Sequence, residues 1–131
     1  MDASTRRLVR RRSGNRCEYC RLPQAAVDAT FRVEHITPRQ HGGGDGADNL
    51  ALACDRCNLA KGPNLTSIDP DTGRIASLFS PRADSWKDHF ELQGSAVVGR
   101  TPTGRATARL LQFNDPHRRR LRELLIELGE F

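Results

Sequence analysis

The chain predicts an α+β fold held together by a metal staple. Three observations predict it. The only four cysteines fall into two C-x-x-C pairs, Cys17/Cys20 in RCEYC and Cys54/Cys57 in CDRCN. Between the pairs lie a short alternating segment, FRVEHI, and a Gly-rich loop. Stretches with helical character stand at both ends of the chain. Two C-x-x-C knuckles a few tens of residues apart suit tetrahedral zinc, since each pair puts two sulfurs on one edge of the tetrahedron.

Size supports the staple. At 131 residues the chain is one domain, or a small module with an appendage. Residues 16 to 62 are short and polar, with Val33, Ile36, Leu50, Leu52 and Leu59 but few aromatics. Segments of that size usually need a metal or disulfides to hold a fold. The N-terminus, MDASTRRLVRRR, has no apolar core, so no signal peptide is expected. No run approaches a membrane span. A cytoplasmic location follows, where thiols stay reduced and metal is favoured over disulfides.

The elements follow in order. Residues 4 to 14 read as a basic helix, with Ser4 or Thr5 as cap and Gly14-Asn15 as its end. Residues 15 to 23 form the first knuckle, closed by Pro23. Residues 31 to 36 alternate as a strand, with Phe31, Val33 and His35 on one face and Arg32, Glu34 and Ile36 on the other. Pro38 to Asp48 is a Gly-rich loop without the strand–GxxxxGK[ST]–helix pattern of a phosphate loop. A helix from about Leu50 to Lys61 is expected, capped by Asp48 or Asn49 and stopped by Gly62-Pro63.

Beyond Asn64 the character changes. Asp69 to Gly73 reads as a turn. Short β stretches are expected at 74–79, 86–92 and 95–100, then helices at about 104–113 and from Pro116 to about Leu128. Leu121, Leu124, Leu125 and Leu128 make an i, i+3, i+4, i+7 stripe bordered by Arg118, Arg119, Arg120 and Arg122. Thr103-Gly104-Arg105 reads as a phosphate-binding helix start or an ordinary cap. The organisation expected is a core over 1–64 and a β/helical extension over 65–131, packed on or beside it.

The net charge is +5 and the pI about 9.6. Lys61 and Lys87 are the only lysines; Arg6, Arg7, Arg10, Arg11, Arg12 and Arg16 crowd the N-terminus against Asp2 alone. Such clustering fits a phosphate backbone as partner, while arginine on ordinary solvated faces is the plainer reading.

A knuckle pair alone indicates a metal-stapled module. Here it flanks an acid–His dipeptide, Glu34-His35, with Asn49 in an N-L dipeptide and Asn58 in C-N-x-x-K-G. In these features the stretch from Arg16 to Gly62 resembles the HNH endonuclease family, in its branch with four zinc-binding cysteines. The resemblance covers about a third of the chain. It departs at two places: Glu34 stands where several members have Asp, and the last motif residue is Asn58 in place of His.

The resemblance implies a zinc-stapled ββα-metal core, with strand, loop, short second strand and helix. It also implies metal-dependent hydrolysis of DNA phosphodiesters to 5′-phosphate and 3′-hydroxyl ends. RNA stays open as a substrate. Zn²⁺ on Cys17, Cys20, Cys54 and Cys57 would be structural, because four sulfurs leave no open position. Arg16, Arg21 and Arg56 would offset its charge. His35 would be the general base, as imidazole with its ordinary pKa of about 6.5 can deprotonate water at neutral pH. Glu34 and Asn58 would hold one Mg²⁺ or Mn²⁺ through hard oxygens. Strand alternation puts Glu34 opposite His35, so a twist or bulge is required to bring both to one ion.

Each residue has a plainer role beside this one. Glu34 reads also as an ion-pair partner of an Arg, Asn58 as a cap or a knuckle hydrogen bond, and His35 as a half-buried strand His. Asn49 ties the Gly-rich loop back or caps the helix. Lys61 contacts phosphate or serves the helix C-terminus. His41 is a loop residue, and His89 and His117 have no metal spacing. Two other function classes stand beside the nuclease: a zinc-dependent nucleic-acid-binding module without cleavage, and an interaction module that docks its Leu stripe on a partner.

Overall fold

The computed structural model describes residues 1–131. They form two compact units, Met1–Pro63 and Asn64–Phe131. Helices and three two-stranded antiparallel sheets are mixed along the chain, the α+β class the sequence predicts.

In the first unit, helix α1 spans Ala3–Arg12. Its cap is Asp2, which accepts from the Thr5 N–H, and not Ser4 or Thr5. The aspartate wins because Ser4 donates its hydroxyl to the same carboxylate. The helix buries Val9 alone and is fastened mainly by arginine. Arg10 Nη2 donates to Phe31 O at 2.9 Å. Arg12 Nη2 donates to Ala47 O at 2.6 Å and to Leu50 O at 2.5 Å. These guanidinium–carbonyl bonds tie α1 to both ends of the hairpin that follows.

That hairpin pairs β1 (Arg32–His35) with β2 (Leu50–Ala53), in a register that sets Glu34 against Ala51 and His35 against Leu50. The expected helix from Leu50 is corrected here. Residues 50–53 are a strand, and helix α2 begins only at Asp55 and ends at Lys61. All four β2 residues are buried, so the run LALA has no period of two to reveal it. Neither Asp48 nor Asn49 caps α2; its N-cap is Cys54. The outer edge of β2 is covered by Glu18. Its N–H donates to Leu52 O, and its Oε2 accepts the Leu52 N–H, both at 2.8 Å. One glutamate thus satisfies an edge that would otherwise be buried unpaired.

The second unit opens with a hairpin of β3 (Thr66–Ile68) and β4 (Ile75–Ser77) around the expected turn. Strand β3 carries little apolar alternation and was not expected. A second hairpin, β5 (Phe90–Gln93) with β6 (Ala96–Gly99), follows the single-turn helix α3 (Trp86–His89). The expected strand at 86–92 therefore starts as helix. Helix α4 covers Pro102–Leu110 and is capped by the Thr101 hydroxyl, so the helix start is an ordinary cap. Gly104 lets α4 approach closely: a Cβ there would lie 2.0 Å from His89 O.

Phe79, Phe90 and Phe113 form the centre of this unit, with ring centroids 5.3 and 5.5 Å apart. Helix α5 (Pro116–Glu127) buries Leu125 and Arg122. Arg122 donates to Ser95 O at 2.6 Å and to Phe113 O at 2.8 Å. Of the leucine stripe, Leu125 is buried while Leu124 and Leu128 are exposed. An arginine that donates to two carbonyls is buried beside Leu125 on the same helix. No helix of the chain is long and apolar enough to cross a membrane.

A buried ion pair closes the turn between β3 and β4. Arg105 from α4 donates twice to Asp69, at 2.9 and 2.8 Å, while the Asp71 N–H and Thr72 hydroxyl donate to the same carboxylate. The Arg105 bonds, with those of the turn, hold the Asp69 carboxyl well below the usual range. A depressed carboxyl stabilises the fold above its unfolded pKa of about 3.9, and the contribution fades as pH falls toward the folded value. Melting of the full chain, followed by Trp86 fluorescence, should therefore weaken below about pH 4. Asp69→Asn should lower Tm by several degrees at pH 7 and flatten the acid dependence. An unchanged Tm at pH 7 would show that the pair adds nothing net.

Candidate functional site

The site is built on the two knuckles. In the first, the Cys20 N–H points at Cys17 Sγ at 3.5 Å, and Arg21 takes φ 69°, turning the chain so that its N–H reaches Cys17 O at 2.9 Å. In the second, Cys54 Sγ serves as the N-cap of α2 and accepts the Cys57 N–H at 3.5 Å. A helix N-terminus favours negative charge on that sulfur. All four cysteines are buried, and none is joined in a disulfide.

Their sulfurs lie within 4.8 Å of one another. Cys20 Sγ and Cys54 Sγ are 3.8 Å apart. A Zn–S bond of about 2.3 Å implies a tetrahedral S···S edge of about 3.8 Å, so the sulfur set fits zinc. The cluster is a structural metal site of zinc type. Residues on both sides of the hairpin are drawn to it, since Cys17 and Cys20 precede β1 while Cys54 and Cys57 follow β2.

Beside the cluster runs a buried polar chain. Glu34, on the inward face of β1, is 7% exposed. Its Oε1 accepts from the Tyr19 hydroxyl, at the centre of the first knuckle. Its Oε2 lies 3.8 Å from Lys61 Nζ at the end of α2. Lys61 is 2% exposed and donates to Ile36 O at 3.0 Å and to His35 O at 3.3 Å. Lys61 is therefore directed inward, and its phosphate-contact reading is corrected. Glu34's ionic partner is this lysine and not an arginine. Burial raises the Glu34 carboxyl, while Lys61 and the Tyr19 bond oppose the rise. Burial likewise lowers the Lys61 ammonium, against the pull of Glu34.

His35 ends β1 with its ring on the other face, 20% exposed. Its Nε2 lies 2.7 Å from Asp45 Oδ1, which also accepts from Arg39 Nη2 at 3.0 Å. Asn49 clamps the Gly-rich loop. Its Oδ1 accepts the Thr37 N–H at 2.9 Å, and its Nδ2 donates to Thr37 O at 3.0 Å and Gly44 O at 2.8 Å. Gly43 allows that closure, since a Cβ there would meet Thr37 O at 1.7 Å. His41 is exposed and stands apart.

An open groove of about 380 Å³ brings these parts together. Val33, Glu34, His35, Arg39, Asn58 and Gly62 are among its lining residues. Glu34, His35 and Asn58 thus line one groove although Glu34 and His35 alternate along β1, and the β1–β2 register runs without a bulge. Asp45, Tyr19 and Arg39 were missed from sequence. Asp45 had one signal, an acid placed among loop glycines, and the other two had none.

Purified protein should carry about one zinc per chain. Cys54→Ser should unfold or aggregate, because it removes one of the four sulfurs while leaving a hydroxyl able to cap α2. Burial pushes the Cys17 and Cys57 thiols up. Protons therefore compete with metal, and zinc retention should fall as pH drops. A folded sample without zinc by metal analysis would overturn the staple.

No curated protein and no solved structure matches the chain. The HNH endonuclease family model matches residues 17–64, from the first knuckle cysteine through β1, β2 and α2. This segment is thus similar to the HNH endonuclease family, and its four sulfurs, gathered at one point, match the zinc-binding branch.

Proposed function

We propose that the protein is a metal-dependent endonuclease that hydrolyses DNA phosphodiester bonds. The observation that carries the reading is the shared groove: Glu34, His35 and Asn58 line one surface beside the zinc-type cluster. His35 accepts the proton of the attacking water. Asn49 holds the loop that faces His35. Glu34 and Asn58 are the oxygen donors that would hold a Mg²⁺ or Mn²⁺. Such an ion would stabilise charge on the phosphate and the departing oxygen. The donor set fits in chemistry. Glu34 Oε1 is held by Tyr19, while Oε2 meets Lys61 only at 3.8 Å, longer than a hydrogen bond.

One observation favours a second reading, a zinc-dependent nucleic-acid-binding module without cleavage. Glu34 is nearly buried and already has a hydroxyl and an ammonium for partners. On that reading it ties β1 to the knuckle and binds no ion. The setting proposed under both readings is a reducing, cytoplasmic one, where thiols hold metal in preference to forming disulfides.

Supercoiled-plasmid nicking with Mg²⁺, Mn²⁺ or EDTA separates the two. Removing a general base typically costs about 10²–10⁴ in rate. His35→Ala should lose nicking by that order while keeping zinc content and DNA affinity. Asn58→Ala and Glu34→Gln should lose activity that higher Mn²⁺ partly restores. If His35→Ala nicks as fast as wild type, these residues are not catalytic and the binding-module reading takes over.

DNA binding should depend strongly on salt and weakly on sequence. The arginines of α1 divide in two: Arg10 and Arg12 bond backbone carbonyls, whereas Arg6, Arg7 and Arg11 are exposed. Neutralising Arg6, Arg7 and Arg11 should flatten log K against log salt by about two to three units if each meets one phosphate. An unchanged slope would put the DNA surface elsewhere. RNA in the same titration tests the wider substrate class.

A further inference from the structure

We propose that Asp45 is a positioning residue for His35, holding its imidazole in one orientation with the proton on Nε2 and the lone pair on Nδ1. The inference deepens the nuclease reading and rests on it for its catalytic consequence. It comes from the geometry of the Gly-rich loop. Asp45 Oδ1 lies 2.7 Å from His35 Nε2. An ionised carboxylate only accepts hydrogen bonds, so at this distance Nε2 must be the donor. In a neutral ring that leaves Nδ1 as the sole atom able to take a proton.

The carboxylate is itself held. Arg39 Nη2 donates to the same Oδ1 at 3.0 Å. The residue before Asp45 is pinned by Asn49, whose Nδ2 donates to Gly44 O at 2.8 Å. The Gly43 N–H donates to Pro38 O at 3.1 Å. Three successive residues of the loop are thus tied, and Asp45 does not depend on His35 for its place. The bonds from His35 and Arg39 also lower the Asp45 carboxyl, so it stays ionised at neutral pH.

Charge supports the arrangement. A bare carboxylate beside the groove would repel a phosphate. Arg39 lines that groove and offsets the charge of Asp45 at the very oxygen that meets His35. The imidazole is oriented without making the surface hostile to a polyanion.

The test uses full-length, zinc-loaded protein with ¹⁵N-labelled histidine, without DNA, at a pH where the ring is neutral. The His35 signals are identified by their loss in His35→Ala. Wild type should show a hydrogen-bonded N–H on Nε2 and an unprotonated Nδ1. Asp45→Ala should lose that N–H to solvent exchange and shift both nitrogens toward the values of a free, exposed imidazole. Asp45→Asn keeps an oxygen that can serve Arg39 and His35 together, and should retain the wild-type pattern. Identical ring signals in wild type and Asp45→Ala would overturn the proposal.

In nicking assays Asp45→Ala should lower kcat about 10- to 100-fold with KM for plasmid unchanged, and Asp45→Asn should recover most of it. A raised KM, or recovery at higher Mn²⁺, would make Asp45 a substrate or ion contact and overturn the positioning role. If wild type shows the Nε2–H signal and its loss in Asp45→Ala but never nicks DNA, the tautomer assignment stands and the nuclease reading falls.

Discussion

The convergence of four sulfurs is the constraint on which the first unit depends. Without it, residues 17–64 have a two-stranded hairpin, a helix of seven residues and little apolar surface. A two-stranded hairpin is marginal in water, and so short a helix does not form alone. Drawing Cys17, Cys20, Cys54 and Cys57 together fixes the entry to β1 and the exit from β2 at one point. Helix α2 must then leave the cluster at a set angle, because its cap is a cluster sulfur. Asn58 follows the last cysteine directly. The staple therefore sets where the amide stands relative to the strand that carries Glu34 and His35.

The buried chain from Tyr19 through Glu34 to Lys61 carries that constraint to the groove. Burying a carboxylate and an ammonium costs several kcal/mol per ion before their attraction is counted. The remaining donors are satisfied here, since Lys61 also meets two carbonyls of the strand end. Lys61 thereby fastens the last turn of α2 to the end of β1, at the backbone of His35 itself. A group whose charge is sheltered in this way holds a unique arrangement more than it adds stability. The same chain places Glu34 at the edge of the groove rather than in open solvent. That position is compatible with an ion ligand and with a purely structural acid, which is why the two functional readings part at this residue.

The Gly-rich loop answers a different demand. A histidine at the end of a short strand has freedom in its ring, and the strand does nothing to remove it. The loop does so from the opposite side. Asn49 binds it back at Thr37 and Gly44, Gly43 permits an approach no side chain would, and Asp45 meets the ring. Helix α1 supports this from behind, for Arg12 bonds carbonyls at the loop's end. Arginine thus acts in two ways in one helix, bracing the hairpin and charging the surface.

Much was legible along the chain because it is local chemistry. Cysteine spacing announces the knuckles, alternation in FRVEHI announces β1, and Glu34-His35, Asn49 and Asn58 announce the family. Capping and periodicity place α1, α4 and α5 to within a few residues. What sequence alone could not decide were matters of burial and of pairing between distant residues. LALA became strand because both its faces are covered and its edge is closed by Glu18, which no short-range pattern records. Arg122 of α5 turned inward beside Leu125, where two carbonyls accept from its guanidinium. Lys61 turned inward to Glu34, and Asp45 came to His35 from ten positions further along the chain. The sequence by itself determined which chemical groups the site would contain. Only the tertiary structure decided which of them face one another, because hydrogen-bond satisfaction in a buried setting depends on neighbours that the chain order does not name.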